Sequence, residues 1–361
     1  MADFMEKQII NKYIMSARQN KSKYLIILIS NVLGKSTVSS DFAGNSVVGD
    51  YYSIKQLQEM SEAIISNGFE LLCYYNENDF IRDYLNDVLD NTDKDILVIN
   101  TAKTGISVGR KSLIPSFCEL NHIKYLGCDP YVVSFAKDKF HWHLLLNNFQ
   151  IPVSHFWIFY EKEGWIENER PSVNEKIIAK LNSESCGMGL SEHNICKYNY
   201  EFDKYLYSLT NQYNQNIIVE KFITGYEVEV PVVITSKEII ALEPIGITFN
   251  NNFNIGDAIL NYEIRVNDSY VYLPFTQYNP VLSNQLKISA EKAAKIMQLS
   301  GICRIDFRIN MESDFFITDI ATTPFITSNS SIGVCFEKLN YFYNDFFAFI
   351  IGLILEKYDL I

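Results

Sequence analysis

The sequence has no paired cysteines, no long apolar run and no surplus of positive charge. Its seven cysteines (Cys73, Cys118, Cys128, Cys186, Cys196, Cys303 and Cys335) are dispersed, with no C-x-x-C pair. An odd, scattered set argues against a disulfide framework or a zinc site and fits buried thiols in a reducing compartment. The longest oily run near the end, 346–355, is bounded by Asp345 and Glu356. It is too short for a bilayer, which needs about 20 residues. Residues 1–23 are polar and charged, without the apolar stretch of a signal peptide. Lys and Arg number 31 against 43 Asp and Glu, a net charge of −12. No basic patch stands out, so nucleic acid is a poor candidate ligand. No internal repeat is visible. No G-x-G-x-x-G follows a strand and no P-loop spacing occurs, which removes motif support for a dinucleotide fold or a Walker-type phosphate loop. The expectation is a soluble, cytoplasmic protein with neither membrane nor nucleic acid as partner.

What is present is ample apolar material. With 361 residues, 48% of them hydrophobic, the chain can build two or three domains, each with a core. Residues 24–29, Tyr-Leu-Ile-Ile-Leu-Ile, read as a strand buried on both faces of a parallel sheet. A helix capped by Ser53 and stopped by Gly68, a strand at 69–75, a helix at 79–90 and a strand at 96–99 follow. This alternation predicts an open α/β domain, with ligands at the carboxyl ends of the strands, where the loops after residues 29 and 99 lie. Further on, the pattern predicts one helix over 131–148, strands at 156–159, 176–180 and 217–222, and helices over 201–213 and 283–299. Pro231 makes 227–234 an edge or bulged strand. One closing helix is expected over 336–356.

The most informative stretch is 301–324. Arg304, Asp306 and Arg308 alternate with Ile305, Phe307 and Ile309, giving a strand with one charged face and one oily face. Polar residues 311–314 suit a turn, and 315–321 forms the second arm, with Phe315, Ile317, Asp319 and Ala321 expected on one face. Asp306 and Asp319 meet across this ladder beside Arg304. Alone, the charged face reads first as a solvated surface with ordinary ion pairs. Hard oxygen ligands next to a guanidinium also suit a Mg²⁺–triphosphate site.

Taken in order, the motifs resemble the ATP-grasp superfamily and, within it, the D-alanine–D-alanine ligases. Ile114-Pro115, Glu119-Leu120, Tyr125, Gly127 and Asp129-Pro130 resemble the run before the first ATP-contacting lysine, which matches Lys139. Ile178-Ala179-Lys180 resembles the strand carrying the second. Residues 182–189, with Glu184 and Ser185, resemble the loop that closes over the phosphates. Glu220-Lys221-Phe222-Ile223 resembles the adenine hinge, and Glu227 matches the ribose-binding glutamate. Asn261-Tyr262-Glu263-Ile264-Arg265 resembles the lid, with Arg265 in the place of its lysine. Arg304 matches the arginine near the reacting carboxylate, Asp306 the first magnesium ligand, and Asp319 the glutamate that opens E-I-N-T-x-P-G.

The resemblance implies an ATP-grasp fold in three parts: an N-terminal open α/β domain (1–130), a central α+β ATP-binding subdomain (131–235), and a C-terminal α+β domain with the metal-binding hairpin (236–361). It implies ATP and Mg²⁺ as cofactors, a homodimer, and a ligase that joins a carboxylate to an amine through an acyl phosphate. The substrates would be an amino acid or small peptide. Departures fall mostly on the substrate side: Ala321 replaces a metal-binding Asn, Phe325 replaces the glycine after the signature proline, and Gly187 replaces a serine of the phosphate loop. Asp50 is the candidate for the N-terminal acidic residue. These changes point away from D-alanyl-D-alanine as product. They leave two alternatives open: a catalytically weakened ATP-binding relative acting as a regulator or partner protein, and an ATP-grasp enzyme whose substrate is not an amino acid.

Overall fold

A computed structural model describes residues 2–36, 45–105, 108–260, 264 and 269–361. Three sheets organise them. The first is four-stranded and parallel, in the order β2-β1-β3-β4 (Glu70–Tyr74, Tyr24–Ile29, Asp95–Asn100, Lys124–Tyr125). β1 is central and nearly all buried, as its unbroken apolar run requires. Helix α2 (Ile54–Ser66) starts at a capping box. Ser53 Oγ accepts from the Gln56 amide at 3.1 Å, and the Gln56 side chain accepts from the Ser53 amide at 2.8 Å. Helix α3 (Glu77–Leu85) is shorter than the expected 79–90. Asp87 turns left-handed, with φ 57°, and a 3₁₀ turn takes the remainder. Helix α4 (Leu113–Leu120) leads into β4.

The predicted helix over 131–148 is two: α5 (Pro130–Lys137) and α6 (Lys139–Asn148). Asp138, at φ −88° and ψ 95°, ends the first and caps the second by accepting from the His141 amide at 3.2 Å. The sequence shows no Gly or Pro here, so the break carried no punctuation. It places Lys139 at the first position of a helix, and its amide donates to Asn182 O at 3.0 Å.

The second sheet is five-stranded, in the order β6-β5-β9-β7-β8 (Gly164–Trp165, Phe156–Tyr160, Ile217–Lys221, Lys176–Leu181, Ile195–Lys197), backed by α7 (Phe202–Tyr213). The third runs β14-β12-β10-β15-β16 (Val271–Pro274, Ile245–Thr248, Gly225–Ile234, Gly301–Ile309, Phe315–Ala321), with β11 (Ile239–Ala241) and β13 (Asn254–Gly256) also on β10. β10 is therefore central, not an edge. Pro231 is tolerated because its carbonyl and missing N–H face the gap where pairing passes from β11, on 232–234, to β12, on 228–229. Leu242 donates to the Pro231 carbonyl at 2.8 Å, and the ladder to β15 on the other side is unbroken.

Helix α8 (Pro280–Ile296) packs its Leu286, Ala290, Ala293 and Ala294 stripe on this sheet. The closing segment is two helices, α9 (Ser331–Lys338) and α10 (Tyr343–Lys357), separated by Asn340 at φ 61°. α10 is buried from Phe346 to Leu355 because α1 (Ala2–Gln19) covers it. A Cβ on Gly352 would stand 2.4 Å from the Tyr13 carbonyl, so only glycine permits this crossing. No helix of the described residues is long and apolar enough to cross a membrane.

Candidate active site

The hairpin forms as expected, with one correction. Asp306 pairs with Asp319 and Arg304 with Ala321, but the register shifts after Asp306, so that Phe307 faces Ile317. Thr318 is the extra residue of a β-bulge. Ile317 and Asp319 therefore do not share a face. Ile317 and Ile320 enter the core with Phe307 and Ile305, while Asp319 stands on the polar face with Asp306. The sequence alternation gave no sign of the bulge; only the conflict of Ile317 and Asp319 on one face hinted at it.

That polar face extends across three strands. Glu227 and Glu229 on β10 lie opposite Arg308 and Asp306 on β15. With β7, β9 and the loop after β7, it lines a cleft of about 870 Å³, open to solvent, between the second and third sheets. Ten of the sequence-predicted residues line it: Lys139, Lys180, Glu184, Ser185, Glu220, Lys221, Ile223, Glu227, Asp306 and Asp319. Arg304 is brought beside it but lies behind Asp306, 7% exposed. Arg265, with Tyr262 and Glu263, lies outside the described residues.

Charge is closely paired in the cleft. Arg304 donates Nε and Nη2 to the two oxygens of Asp306, each at 2.7 Å, and its Nη1 lies 3.2 Å from Glu229. Lys139 Nζ lies 3.1 Å from Asp319 and donates to Glu184 O at 2.7 Å. Lys180 Nζ donates to Glu220 Oε2 at 3.0 Å. Burial pushes the Asp306 carboxyl up to about 7, helped by Glu229 and Asp319 and opposed by Arg304. Asp319 is driven the other way: Lys139 and Lys137 outweigh its burial and hold it well below the usual carboxylate range. Burial likewise keeps His143 neutral, lowered to about 4; it stacks on Trp142 with Nε2 3.9 Å from Glu220. Burial would raise Glu220, but Lys180 and His143 pull it below its ordinary value.

Two carboxylates facing each other across a ladder suit a hard cation that takes its remaining ligands from phosphate and water, as Mg²⁺ does. Ala321 adds none, and no cluster of three His, Cys, Asp or Glu occurs among the described residues. The cleft also presents Glu220 Oε1, buried and without a hydrogen-bond donor, as a waiting acceptor. The donor set thus fits a nucleotide triphosphate with one divalent ion.

Sequence reasoning missed two features, Arg308 and the basic group after β3. Arg308 lines the cleft, stacks 5.0 Å over the Phe222 ring and pairs with Glu227 at 3.5 Å. Lys103, Arg110 and Lys111 follow β3 at its carboxyl end, the place where a ligand loop was expected. Asp50 binds Lys103 at 3.3 Å and Arg110 at 2.9 Å, and accepts from Ser185 at 3.0 Å and Cys186 at 2.6 Å. Burial would raise the Asp50 carboxyl, but Lys103, Lys111 and Arg110 hold it well below its usual range. Arg110 also pairs with Glu184 at 2.9 Å, tying the loops of the first sheet to the phosphate-loop candidate.

Residues 145–351 match the family model described as the D-Ala D-Ala ligase C-terminus. The D-alanine–D-alanine ligase of Acetivibrio thermocellus is 24% identical over 260 residues, covering 70% of this chain and 66% of that protein. That of Finegoldia magna is 23% identical over 294 residues, covering 78% and 80%. In fold, the chain is similar to the Bacillus anthracis D-alanine–D-alanine ligase complexed with ATP, with a TM-score of 0.67, 17% identity, and 92% and 97% of the two chains covered. The D-Ala:D-Ser ligase of Enterococcus faecalis gives 0.65 and 16%, with 92% and 99% covered.

Proposed function

The chain belongs to the D-alanine–D-alanine ligase family and has its ATP-grasp fold, and from that premise we propose that it is an ATP-dependent carboxylate–amine ligase working through an acyl phosphate. The observation that carries this reading is the convergence of Lys139, Lys180, Asp306 and Asp319, drawn from four separate elements, on one cleft. In phosphoryl transfer the protein mainly neutralises charge and aligns the partners. Lys180 and Lys139 reach the phosphates. Glu220, Lys221 and Ile223 line the hinge edge for adenine, and Glu227 takes the ribose. Glu184 and Ser185 belong to the loop over the phosphates, and Arg265 to the lid. Asp306 and Asp319 would hold Mg²⁺, which supplies further neutralisation of the transferring group when bound. Arg304, held against Asp306, would stabilise the oxyanion formed when the amine attacks.

The sequence relatives are D-alanine–D-alanine ligases and give no support to another product. What supports one is local. Phe325 packs edge-on against Tyr52 at 5.1 Å and lies under Lys103 at 5.0 Å, so it fills space beside the Asp50 cluster. The three sheets support a division into three parts, but β10 (Gly225–Ile234) pairs into the third sheet, which moves the second boundary from 235 to before residue 225. A homodimer belongs to the same proposal.

The test is ADP release with Mg²⁺ and a panel of amino acids and dipeptides, with product mass determined. ADP that requires both a carboxylate and an amine, and a product lighter than their sum by one water, is expected. Tight ATP binding without ADP from any pair would return the reading to a regulatory relative. Substituting Lys180→Ala is expected to weaken ATP binding at least tenfold; unchanged affinity would remove Lys180 from the site.

A further inference from the structure

Behind the Lys139–Asp319 end of the cleft, cations outnumber carboxylates. Five cationic side chains cluster there, Lys103, Arg110, Lys111, Lys137 and Lys139, all buried. Three carboxylates face them, and their pairings are taken. Asp50 serves Lys103 and Arg110, Glu184 serves Arg110, and Asp319 serves Lys139. Lys111 and Lys137 are left, 4% and 5% exposed, with no hydrogen-bond or ion-pair partner among the described residues. Lys111 sits in the turn after Gly109, and Lys137 in the last turn of α5, which packs against that turn.

An unpaired buried ammonium costs several kcal/mol. Two of them side by side repel each other, and what opposes this is the pull, from beyond ion-pair distance, of Asp50 on Lys111 and of Glu184 and Asp319 on Lys137. A structural role would have placed a carboxylate or a carbonyl nearby, as it did for Lys103 and Lys139. The arrangement is the unsatisfied half of an ion pair whose other half is not among the described residues. The ATP phosphates have Lys139, Lys180 and the metal carboxylates on the cleft side. Neither Lys111 nor Lys137 lines the cleft; Lys111 neighbours Lys103 and Asp50, and Phe325, one of the departures from the family, lies against Lys103.

We propose that Lys111 and Lys137 form an anion subsite, so that the ligase's substrate carries a negative group, a carboxylate or a phosphate, besides the carboxylate that reacts. The proposal rests on the ligase reading for the role of the cleft but not for the binding itself. Calorimetry on the full chain tests it with matched pairs in both stereochemistries: aspartate against asparagine, glutamate against glutamine, and O-phosphoserine against serine. At least one acidic member binds tenfold or more tightly than its neutral match, and the first two pairs separate a carboxylate from the phosphate of the third. Lys111→Met and Lys137→Met each bring that ratio close to one, Lys137→Arg keeps it, and ATP affinity stays within twofold in all three. Thermal melts show that both Met variants fold.

Ratios below tenfold in every pair would overturn the subsite, as would a ratio that survives both Met substitutions. A loss of ATP affinity with the ratio intact would assign the lysines to the nucleotide instead. The two readings fail separately. Acid-selective binding without ADP release keeps the subsite and loses the ligase. ADP release with neutral pairs alone keeps the ligase and loses the subsite.

Discussion

At the scale of single residues, charges in this cleft are set by whom they face. Lys137 shows it best. Burial first, then Lys139 and Arg110, lower its ammonium from the usual 10.5 to about 7, against the pull of Glu184 and Asp319. A lysine whose pKa is lower folded than unfolded binds fewer protons in the folded state between about 7 and 10.5, so stability rises with pH across that window and the full penalty is present below it. Lys137→Met is expected to stabilise the protein by about 2 kcal/mol at pH 6 and by progressively less toward pH 9. Equal gains at both pH values in denaturant titrations would contradict the burial account. Ala321 faces Arg304 across the ladder. Ala321→Asn is expected to lower the Mg²⁺ concentration for half-maximal ADP release several-fold, and an unchanged Mg²⁺ dependence would show that position 321 does not face the metal. Lys139, Lys180, Glu227 and Asp306 were legible in the sequence because each sits in a short motif of fixed spacing. Lys103, Lys111 and Arg308 were not, since a lone basic residue carries no signal of its burial.

At the scale of elements, strands and caps were legible and interruptions were not. β1, β7 and α2 follow directly from an apolar run, a short apolar core between lysines and the Ser53 cap. The bulge at Thr318 and the break at Asp138 follow from tertiary contacts, which local pattern does not encode. Asp138 Oδ1 also accepts from Asn182 Nδ2 at 2.9 Å, so the α6 cap and the loop after β7 share one carboxylate. Asp138→Ala is expected to cost about 1 kcal/mol of stability and also to weaken ATP binding, read by equilibrium binding; a stability loss with ATP affinity unchanged would show that the cap does not position Lys139. Helix α1 was overlooked, although Ile10, Tyr13, Ile14 and Ala17 fall at helical spacing and are all buried. Its partner α10 needs Gly352 at the crossing. Gly352→Val is expected to destabilise by about 3 kcal/mol, seen as a lowered Tm; an unchanged Tm would mean that the two helices do not pack closely.

At the scale of the molecule, the second and third sheets flank the cleft, and the loops of the first sheet reach its phosphate-loop candidate through Asp50 and Arg110. Each sheet alone is an ordinary fold fragment; the cleft lies where the second and third meet. That order of parts was legible from the order of motifs, whereas the pairing of β10 with β15, which carries Glu227 and Glu229 beside Arg308 and Asp306, was not. The account's central claim is that a carboxylate oxygen attacks the γ-phosphorus of ATP in this cleft and that an amine then displaces phosphate from the acyl carbon. The carboxylate oxygen that attacked must leave with the phosphate. The most direct measurement is mass spectrometry of inorganic phosphate released when the carboxylate substrate is labelled with ¹⁸O. One labelled oxygen in each phosphate is the predicted result; phosphate released without label would contradict the acyl-phosphate route.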